Sequence, residues 1–324
     1  MQRFLVLGQF TLANLWPSLI ATFLTHHIKP QTQVYVAIDR TTWAKVNLLM
    51  VSVIWKKRAI PLYWQRLDRL GSSSYSGQVA VLSNALELLG NYHSVVLGDR
   101  EFCSVELARW LGERGSYFCL RQKKSTFLKS DQGDWQKLGE LTLSPGTQRF
   151  FHTAVLTQSR GFDAAHLAVK WKRRYRGFVP DEPWFLLTNL PTLDAAIHAY
   201  QRRFDIEEMF RDFKQGGYCL EQCKVNDRRF RAIVLLCAIA YLSAATQGHR
   251  LKRQAKQRYL CRPEEPHRTH RRHSDFRVGL SAYRWGLLQQ QAHSLVLALM
   301  KLDRNKLAYH LQGLKAMSAV ATNL

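Results

Sequence analysis

The first part of the chain consists of short runs rich in β-branched and aromatic residues, a pattern typical of strands. Three such runs follow one another, at Gln33–Ile38, Asn47–Trp55 and Ala59–Trp64. Only the polar turn Lys56-Lys57-Arg58 separates the last two. The pattern therefore predicts three consecutive antiparallel strands, with Asp39 directly after the first.

Helical and strand-like segments then alternate. We predict a helix over residues 76–92, a strand over Ser94–Leu97, a helix over Ser104–Gly112 and a strand over Tyr117–Arg121. Asp99 follows its strand as Asp39 follows the first one. In open α/β sheets, ligand-binding groups collect at the carboxyl ends of strands. Both aspartates are therefore candidates for one shared site.

Beyond residue 123 the pattern changes again. Residues 123–179 are polar, glycine-bearing and strand-prone, whereas Trp184–Leu187 is typical of a last strand and a helix begins near Leu193. A strongly apolar helix follows. The predicted organisation is a short helical N-terminal segment (1–32), an α/β core in two parts (33–122 and 183–248), a β-rich insertion (123–182), a basic linker (249–280) and a helical C-terminal segment (281–324).

The stretch from Tyr200 to Lys214 contains no proline or glycine, which favours a helix. At about 100° per residue, Tyr200, Arg203, Glu207 and Lys214 fall on one narrow stripe. An apolar flank lies beside that stripe and consists of Ile206, Met209, Phe210 and Phe213. A carboxylate between two cations and a phenol at the edge of a core indicates a phosphate-handling site.

The charge of the chain limits which class of molecule it is expected to bind. Lysine and arginine number 47 against 24 acidic residues, for a net charge of +23 and a pI near 10.1. A surplus of this size favours a polyanion, with nucleic acid as the leading candidate. A soluble protein that is merely basic is the alternative.

The cysteines and the apolar segments bear on location. Six cysteines show no Cys-x-x-Cys pair, so we expect reduced thiols in a cytosolic protein. Near the N-terminus, Gln9, Asn14 and Pro17 interrupt the apolar clusters before a signal-peptide core can form. The longest apolar run, residues 232–245, is shorter than the roughly 20 residues of a membrane helix. We therefore predict a core helix and no membrane association.

Asp39, Asp99 and Glu207 are candidate metal ligands. Divalent cations such as Mg²⁺ prefer carboxylate oxygens. Two such ions can activate a water or a 3′-hydroxyl group and stabilise the leaving oxygen of a phosphodiester. Each residue alone is weak evidence, because most aspartates at strand ends are turn residues or helix caps. Their occurrence together, in order, is the stronger signal.

At this point the sequence resembles a family, the bacterial insertion-sequence transposases of the DDE type, in the group called insertion-sequence family four. The family's Tyr-Arg-Glu-Lys motif spaces arginine three, glutamate seven and lysine fourteen positions after tyrosine, as in this chain. Residues 36–43 resemble the family's first aspartate block and residues 97–102 its second. The matching sequences are Val-Ala-Ile-Asp-Arg-Thr-Thr-Trp and Leu-Gly-Asp-Arg-Glu-Phe.

The resemblance implies an α/β fold: a ribonuclease H-like core with a mixed sheet, a β-rich insertion between the second aspartate and the glutamate, and a helical C-terminal region. It implies that Asp39, Asp99 and Glu207 coordinate two Mg²⁺ ions, for which Mn²⁺ can substitute. It also implies that Tyr200, Arg203 and Lys214 hold DNA phosphates near the cut. Phe204 stands where the family commonly has tryptophan.

Other candidate DNA contacts are less specific. A cluster of five cations around two aromatics occupies residues 170–176 and suits phosphate contact with base stacking, although a charged edge strand is the alternative. By the resemblance, Trp184 stacks on a flipped base, and a plain core tryptophan is the alternative. The candidates outside the motif helix are Arg100, Lys170, Lys172, Arg173, Arg174 and Trp184.

Two further clusters and a basic tract need interpretation. Cys219 and Cys223 with His249 lack tight zinc spacing, so ordinary thiols are the expected interpretation. The histidines among the arginines of residues 267–273 belong to the basic tract at residues 250–277, predicted to be a flexible connection that binds the DNA backbone.

The resemblance predicts a cytoplasmic, nucleoid-associated bacterial enzyme that acts on double-stranded DNA, at element ends and target, as a homodimer. Only 38 residues precede Asp39, so we expect this copy to be shortened at the helical end-recognition domain of the family. Two alternatives stay open. One is a related ribonuclease H-like nuclease, and the other is a non-catalytic, DNA-binding remnant.

Overall fold

The fold is known from a computed structural model of the chain. The structure describes residues 11–43, 46–129, 133–157, 165–173, 181–216, 218, 220, 225–261, 273–302 and 307–322. The chain divides into two compact units: Pro17–Cys223, and Met1–Trp16 with Lys224–Leu324.

The larger unit begins with three antiparallel strands, β1 (Gln33–Trp43), β2 (Val46–Trp55) and β3 (Arg58–Leu67). The turn between β2 and β3 carries Lys56 and Lys57, both with positive φ, as a tight hairpin requires. Then follow α2 (Tyr75–Glu87), β4 (His93–Gly98), a 3₁₀ turn (Arg100–Phe102), α3 (Val105–Glu113) and β5 (Tyr117–Arg121); α1 (Leu12–His27) precedes them all.

The rest of this unit contains five strands and two helices. They are β6 (Phe127–Lys129), β7 (Trp135–Lys137), β8 (Gln148–Phe151), β9 (His166–Lys170), β10 (Trp184–Thr188), α4 (Leu193–Arg202) and α5 (Phe204–Arg211), with a 3₁₀ turn at Leu138–Glu140 and a π-helix at Asp212–Gly216.

Eight strands form one mixed sheet in the order β3-β2-β1-β4-β5-β10-β9-β8. The pairs β1–β4 and β4–β5 are parallel, and the other pairs are antiparallel. This arrangement confirms the predicted α/β fold class with a mixed sheet, and it is consistent with the expected ribonuclease H-like core. The predicted insertion is not wholly separate, because β8 and β9 extend the main sheet while β6 and β7 form a small hairpin.

The expected end of the first strand is wrong. β1 continues past Asp39 to Trp43, so Asp39 lies within the strand rather than after it. The reason is that β1 has two neighbours of different length. Pairing with β4 stops at Ile38 opposite Gly98, whereas pairing with β2 continues to Trp43 opposite Val46.

The single helix predicted over residues 200–214 is also wrong. α4 ends at Arg202, α5 begins at Phe204, and a π-helix follows it. At the junction, the amide of Arg203 donates to the carbonyl of Tyr200 (3.0 Å), a tighter turn than an α-helix makes. The apolar flank of this stretch is buried as predicted, at Ile206, Met209, Phe210 and Phe213.

One part of the core of this unit lies between the sheet and α4. Val95, Leu97, Cys119 and Leu186 pack from the strands against the face of α4 that includes Tyr200. Ser74 caps the start of α2, Ser104 that of α3 and Thr192 that of α4. Hydroxyl side chains therefore cap the N-termini of these three helices.

The smaller unit is helical and contains α6 (Asp227–Arg253), α7 (Gln257–Leu260), α8 (Asp275–Leu302) and α9 (Leu307–Ala321). α6 and α8 approach so closely that a Cβ on Gly248 or Gly279 would overlap the backbone of the facing helix. The predicted flexible basic tract is therefore helical at both ends, in α6, α7 and α8, while its middle, residues 262–272, lies outside the described residues.

α6 is also the one described helix that is long and apolar enough to cross a membrane by length and composition. Half of its most apolar stretch is buried in the structure, and core helices of soluble proteins satisfy the same criteria.

Candidate active site

Asp39 is held at the centre of the sheet. Its Oδ1 accepts a hydrogen bond from the amide of Arg40 (2.7 Å), and its Oδ2 lies 3.4 Å from Nη1 of Arg203. Burial raises the pKa of Asp39 to about 7, opposed by the Arg203 guanidinium and assisted by the charges of Asp99 and Glu207. The carboxylate is therefore short of positive charge.

Asp99 lies at the start of the 3₁₀ turn that follows β4. Its Oδ1 accepts a hydrogen bond from the amide of Glu101 (2.8 Å) and so caps that turn. A glycine precedes it at position 98, where a Cβ would overlap the Cβ of Phe102. The backbone thus fixes Asp99 beside the point at which β1 and β4 cease to pair.

Glu207 lies in the first turn of α5 and accepts a hydrogen bond from Nη2 of Arg203. Arg203 is 6% exposed and binds Asp39 and Glu207 with two nitrogens of one guanidinium. Its planar group also lies 4.7 Å from the ring centroid of Phe204. Arg203 therefore bridges two of the three predicted metal ligands.

These side chains share one open cleft of about 480 Å³. Its lining comprises Asp39, Arg40, Thr41, Asp99, Arg203, Glu207, Phe210, Arg211 and Lys214. The structure thus brings together five of the predicted residues from β1, the turn after β4, and the α5 region. Within the described ranges, no three Asp, Glu, His or Cys side chains already converge closely enough to hold a metal ion.

Tyr200 is the exception to the predicted stripe. It is fully buried beneath Arg203, packs in the core against α4's strand neighbours, and does not line the cleft. Burial raises the pKa of Tyr200. The helical wheel placed it correctly on the side of Arg203, whose guanidinium lies 5.7 Å from its ring centroid.

The other predicted DNA contacts lie elsewhere. Trp184 is half-buried, with its ring 5.0 Å from that of Tyr200 and the ammonium of Lys172 5.2 Å from its centroid. Lys170 is half-buried at the end of β9, where it pairs with Trp184. Arg173 is exposed, and Arg174 lies outside the described residues.

Arg100 is 48% exposed at its side chain and forms an ion pair with Glu182 (2.6 Å). The same carboxylate oxygen accepts from Arg121 (2.8 Å). The predicted phosphate contact is thus paired with a carboxylate in the DNA-free protein.

Cys219, Cys223 and His249, for which ordinary thiols rather than a zinc site were expected, are only partly described by the structure. Cys219 and Cys223 lie outside the described residues, and His249 instead contacts the buried carboxylate of Asp275 (3.2 Å). Lys252 makes the second contact with Asp275 (2.9 Å). Of the histidines in the basic tract, His267 and His270 are also outside the described residues.

A polar network beside the cleft is not apparent from the sequence. Nε of Arg40 donates to Glu101 (2.8 Å), which links the residue after Asp39 to the turn that carries Asp99. Nη1 of Arg40 also donates to the buried Asn47 (3.1 Å). Arg40 and Glu101 lie inside the two aspartate blocks, so their positions were visible, but a contact across 61 residues was not.

A family model described as "Transposase DDE domain" matches residues 45–243. The match includes Asp99, Arg203, Glu207 and Lys214, and Asp39 lies before its start. No curated protein matches the chain. Among solved structures, the chain is similar to the piggyBac transposase in a cryo-EM structure of its synaptic complex with hairpin DNA, with 10% identity and a TM-score of 0.46. The similarity covers 84% of this chain and 56% of that one.

Proposed function

Because the chain belongs to the transposase DDE domain family, we propose that it is a DNA transposase. It cuts DNA at the ends of a mobile element and joins the freed 3′-hydroxyl groups to target DNA, as in cut-and-paste transposition. The observation that carries the proposal is the cleft where three carboxylates meet four cationic side chains. Phosphodiester chemistry needs both kinds of group.

The donor set of the cleft fits Mg²⁺, with Mn²⁺ as a substitute. Asp39, Asp99 and Glu207 offer carboxylate oxygens, the ligands that these hard cations prefer. The raised pKa of the buried Asp39 marks a place where added positive charge is stabilising. When bound there, two ions would activate the attacking hydroxyl and stabilise the leaving oxygen.

The cations of the cleft have two different roles. Arg40, Arg211 and Lys214 line it, and we assign to them the phosphates next to the scissile bond. Arg203 is buried against Asp39 and Glu207, where it balances their charge and orients both side chains. Tyr200 supports Arg203 from the core side.

Double-stranded DNA is the proposed partner, as element ends and as target. The net charge of +23 supports contact with a polyanion well beyond the cleft. Arg100, Lys170, Lys172, Arg173 and Trp184 are the described residues proposed to extend that contact. A homodimer would place one cleft at each element end.

The test uses purified protein and linear DNA that carries the inverted repeats flanking the gene. With Mg²⁺ or Mn²⁺ we expect cleavage at the repeats and covalent joining to a target plasmid, and Glu207→Ala abolishes both. Joining intermediates are detected on denaturing gels.

Three results would contradict the assignment in different ways. Cleavage without any joining indicates a nuclease on the same fold. Salt-sensitive binding without metal-dependent turnover indicates a DNA-binding remnant. Activity that survives in Glu207→Ala removes the proposed site.

A further inference from the structure

The loop between β3 and α2, residues 68–74, is exposed at the end of the sheet at which Asp39 and Asp99 lie. Leu70 is 63% exposed, an unusual position for a large apolar side chain. Gly71 next to it has a φ of +111°, a conformation that other residues rarely adopt. The loop therefore has a specific backbone path that presents an apolar tip to solvent.

Two polar side chains, one buried and one partly buried, fix that path. Asn47, which is 1% exposed, donates from Nδ2 to the carbonyls of Arg69 (2.7 Å) and Gly71 (3.0 Å). Glu101 accepts from the amide (2.8 Å) and the hydroxyl (2.7 Å) of Ser73. Exposed loops are usually mobile. These hydrogen bonds instead hold residues 68–74 in one position.

The anchors are the same residues that flank the candidate metal ligands. Asn47 and Glu101 are both bonded to Arg40, which follows Asp39 and lines the cleft. The amide of Glu101 donates to Asp99. The 68–74 loop is therefore fixed relative to both aspartates through one hydrogen-bonded network.

We propose that the 68–74 loop is a preformed DNA contact that positions the duplex beside the cleft. The inference rests on the proposed function, since it takes DNA as the molecule in the cleft. Arg69, which is exposed, contacts a backbone phosphate, and Leu70 packs against the adjoining sugar. Because the loop is already ordered, binding costs little conformational entropy.

The chemistry of the loop favours DNA over a protein partner. Its one large exposed apolar side chain is far smaller than the apolar centre of a stable protein interface. A cation beside it, on a chain of net charge +23, complements a phosphate backbone. Asp68 is the opposing charge, and it should weaken the same contact.

The test is the affinity of the full chain for inverted-repeat DNA in EDTA, measured by fluorescence anisotropy over a series of salt concentrations. We expect Arg69→Ala to weaken binding by about three- to tenfold and to reduce the salt slope by about 1. Asp68→Asn should tighten binding. Both substituted side chains are exposed, so these variants leave the fold intact.

Arg114→Ala is the matched control. Arg114 is also an exposed arginine, and it lies at the end of α3 next to the start of β5, at the opposite end of the strands. Its guanidinium lies 4.5 Å from the centroid of the Trp110 ring, a contact that the substitution also removes. Its removal lowers the net charge by the same amount and should leave the affinity within about twofold of wild type.

The outcomes separate this inference from the proposed function. Equal effects of Arg69→Ala and Arg114→Ala, or no effect of either, overturn the loop contact even if wild type cleaves and joins DNA. A wild type that binds DNA without cleavage contradicts transposase activity, while an Arg69-specific loss still supports the loop contact. Absence of DNA binding overturns both.

Discussion

Asp39 and Asp99 share a cleft but relate to the fold in opposite ways. Asp39 lies within a central strand with its side chain 14% exposed, and this partial burial is the main cause that raises its pKa to about 7. Asp99 lies in a turn and caps it with a hydrogen bond to the amide of Glu101. One carboxylate is held at a cost to the folded state, and the other stabilises it.

The difference shows how a site can favour the binding of cations while its backbone conformation stays fixed. Arg203 balances the charge of Asp39 and also binds Glu207. Asp99 needs no such partner, because backbone geometry already fixes it. Activity assays alone would miss this distinction, whereas stability measurements would reveal it.

The largest expected effect is the same for both aspartates. Asp39→Asn and Asp99→Asn should each lower metal-dependent DNA cleavage by about 10³-fold or more, and the double variant should be no worse, since the residues act as a unit. Initial rates on labelled DNA measure this. Glu113→Gln, an exposed change at the end of α3, should match wild type. Unequal losses, with one aspartate dispensable, would remove that residue from the proposed metal site.

The next effect concerns the contact that joins the two aspartate regions. Glu101→Gln should weaken activation by Mn²⁺ by about 10- to 100-fold, because Glu101 holds Arg40 and the 68–74 loop in place around the ligands. The measurement is the Mn²⁺ concentration at half-maximal cleavage. Glu87→Gln at the end of α2 is the control, and an unchanged Mn²⁺ requirement in Glu101→Gln would argue against this positioning role.

Thermal unfolding in EDTA should separate the two aspartates. The folded-state pKa of Asp39, about 7, is above its ordinary value of 3.8, so stability falls as pH rises between these values and the full cost is present above pH 7. Asp39→Asn should therefore raise Tm by a few degrees at pH 8, and by less at pH 5. Loss of one partner for Arg203 limits the gain. An Asn variant that melts lower at pH 8 would contradict this account.

The smallest effect belongs to Asp99. Asp99→Ala should lower the free energy of unfolding in EDTA by about 1 kcal/mol through loss of the cap, whereas Asp99→Asn keeps a capping oxygen and should change it by only a few tenths. Urea unfolding at pH 8 measures both. If Asp99→Ala stabilised the protein as Asp39→Asn does, the proposed contrast between the two carboxylates would be lost.

Much of the central sheet could be predicted from sequence. The β-branched runs gave β1 to β5 in order, and the turn Lys56–Lys57 set the hairpin, because these signals are local. The spacing of Arg203, Glu207 and Lys214 also placed three side chains on one side of the chain, and all three line the cleft.

Features that depend on distant pairing were not predictable. Asp39 lies inside β1 only because β2 pairs further along it than β4 does. The wheel could not distinguish Tyr200, on the core side of its stripe, from Arg203. The contact of Arg40 with Glu101 joins strand β1 to the turn after β4, two segments 61 residues apart, and neither segment reveals it alone.

The π-helix at Asp212–Gly216 makes the length of this segment a functional property. A π-helix accommodates one residue more than the same turn of α-helix. Phe213 is buried here while its neighbour Lys214 lines the cleft. Deletion of a single uncharged residue here would let the turn close as an α-helix and shift which side chain lines the cleft, without altering any charge. Insertions and deletions at this point would therefore change the affinity of such a cleft for its substrate.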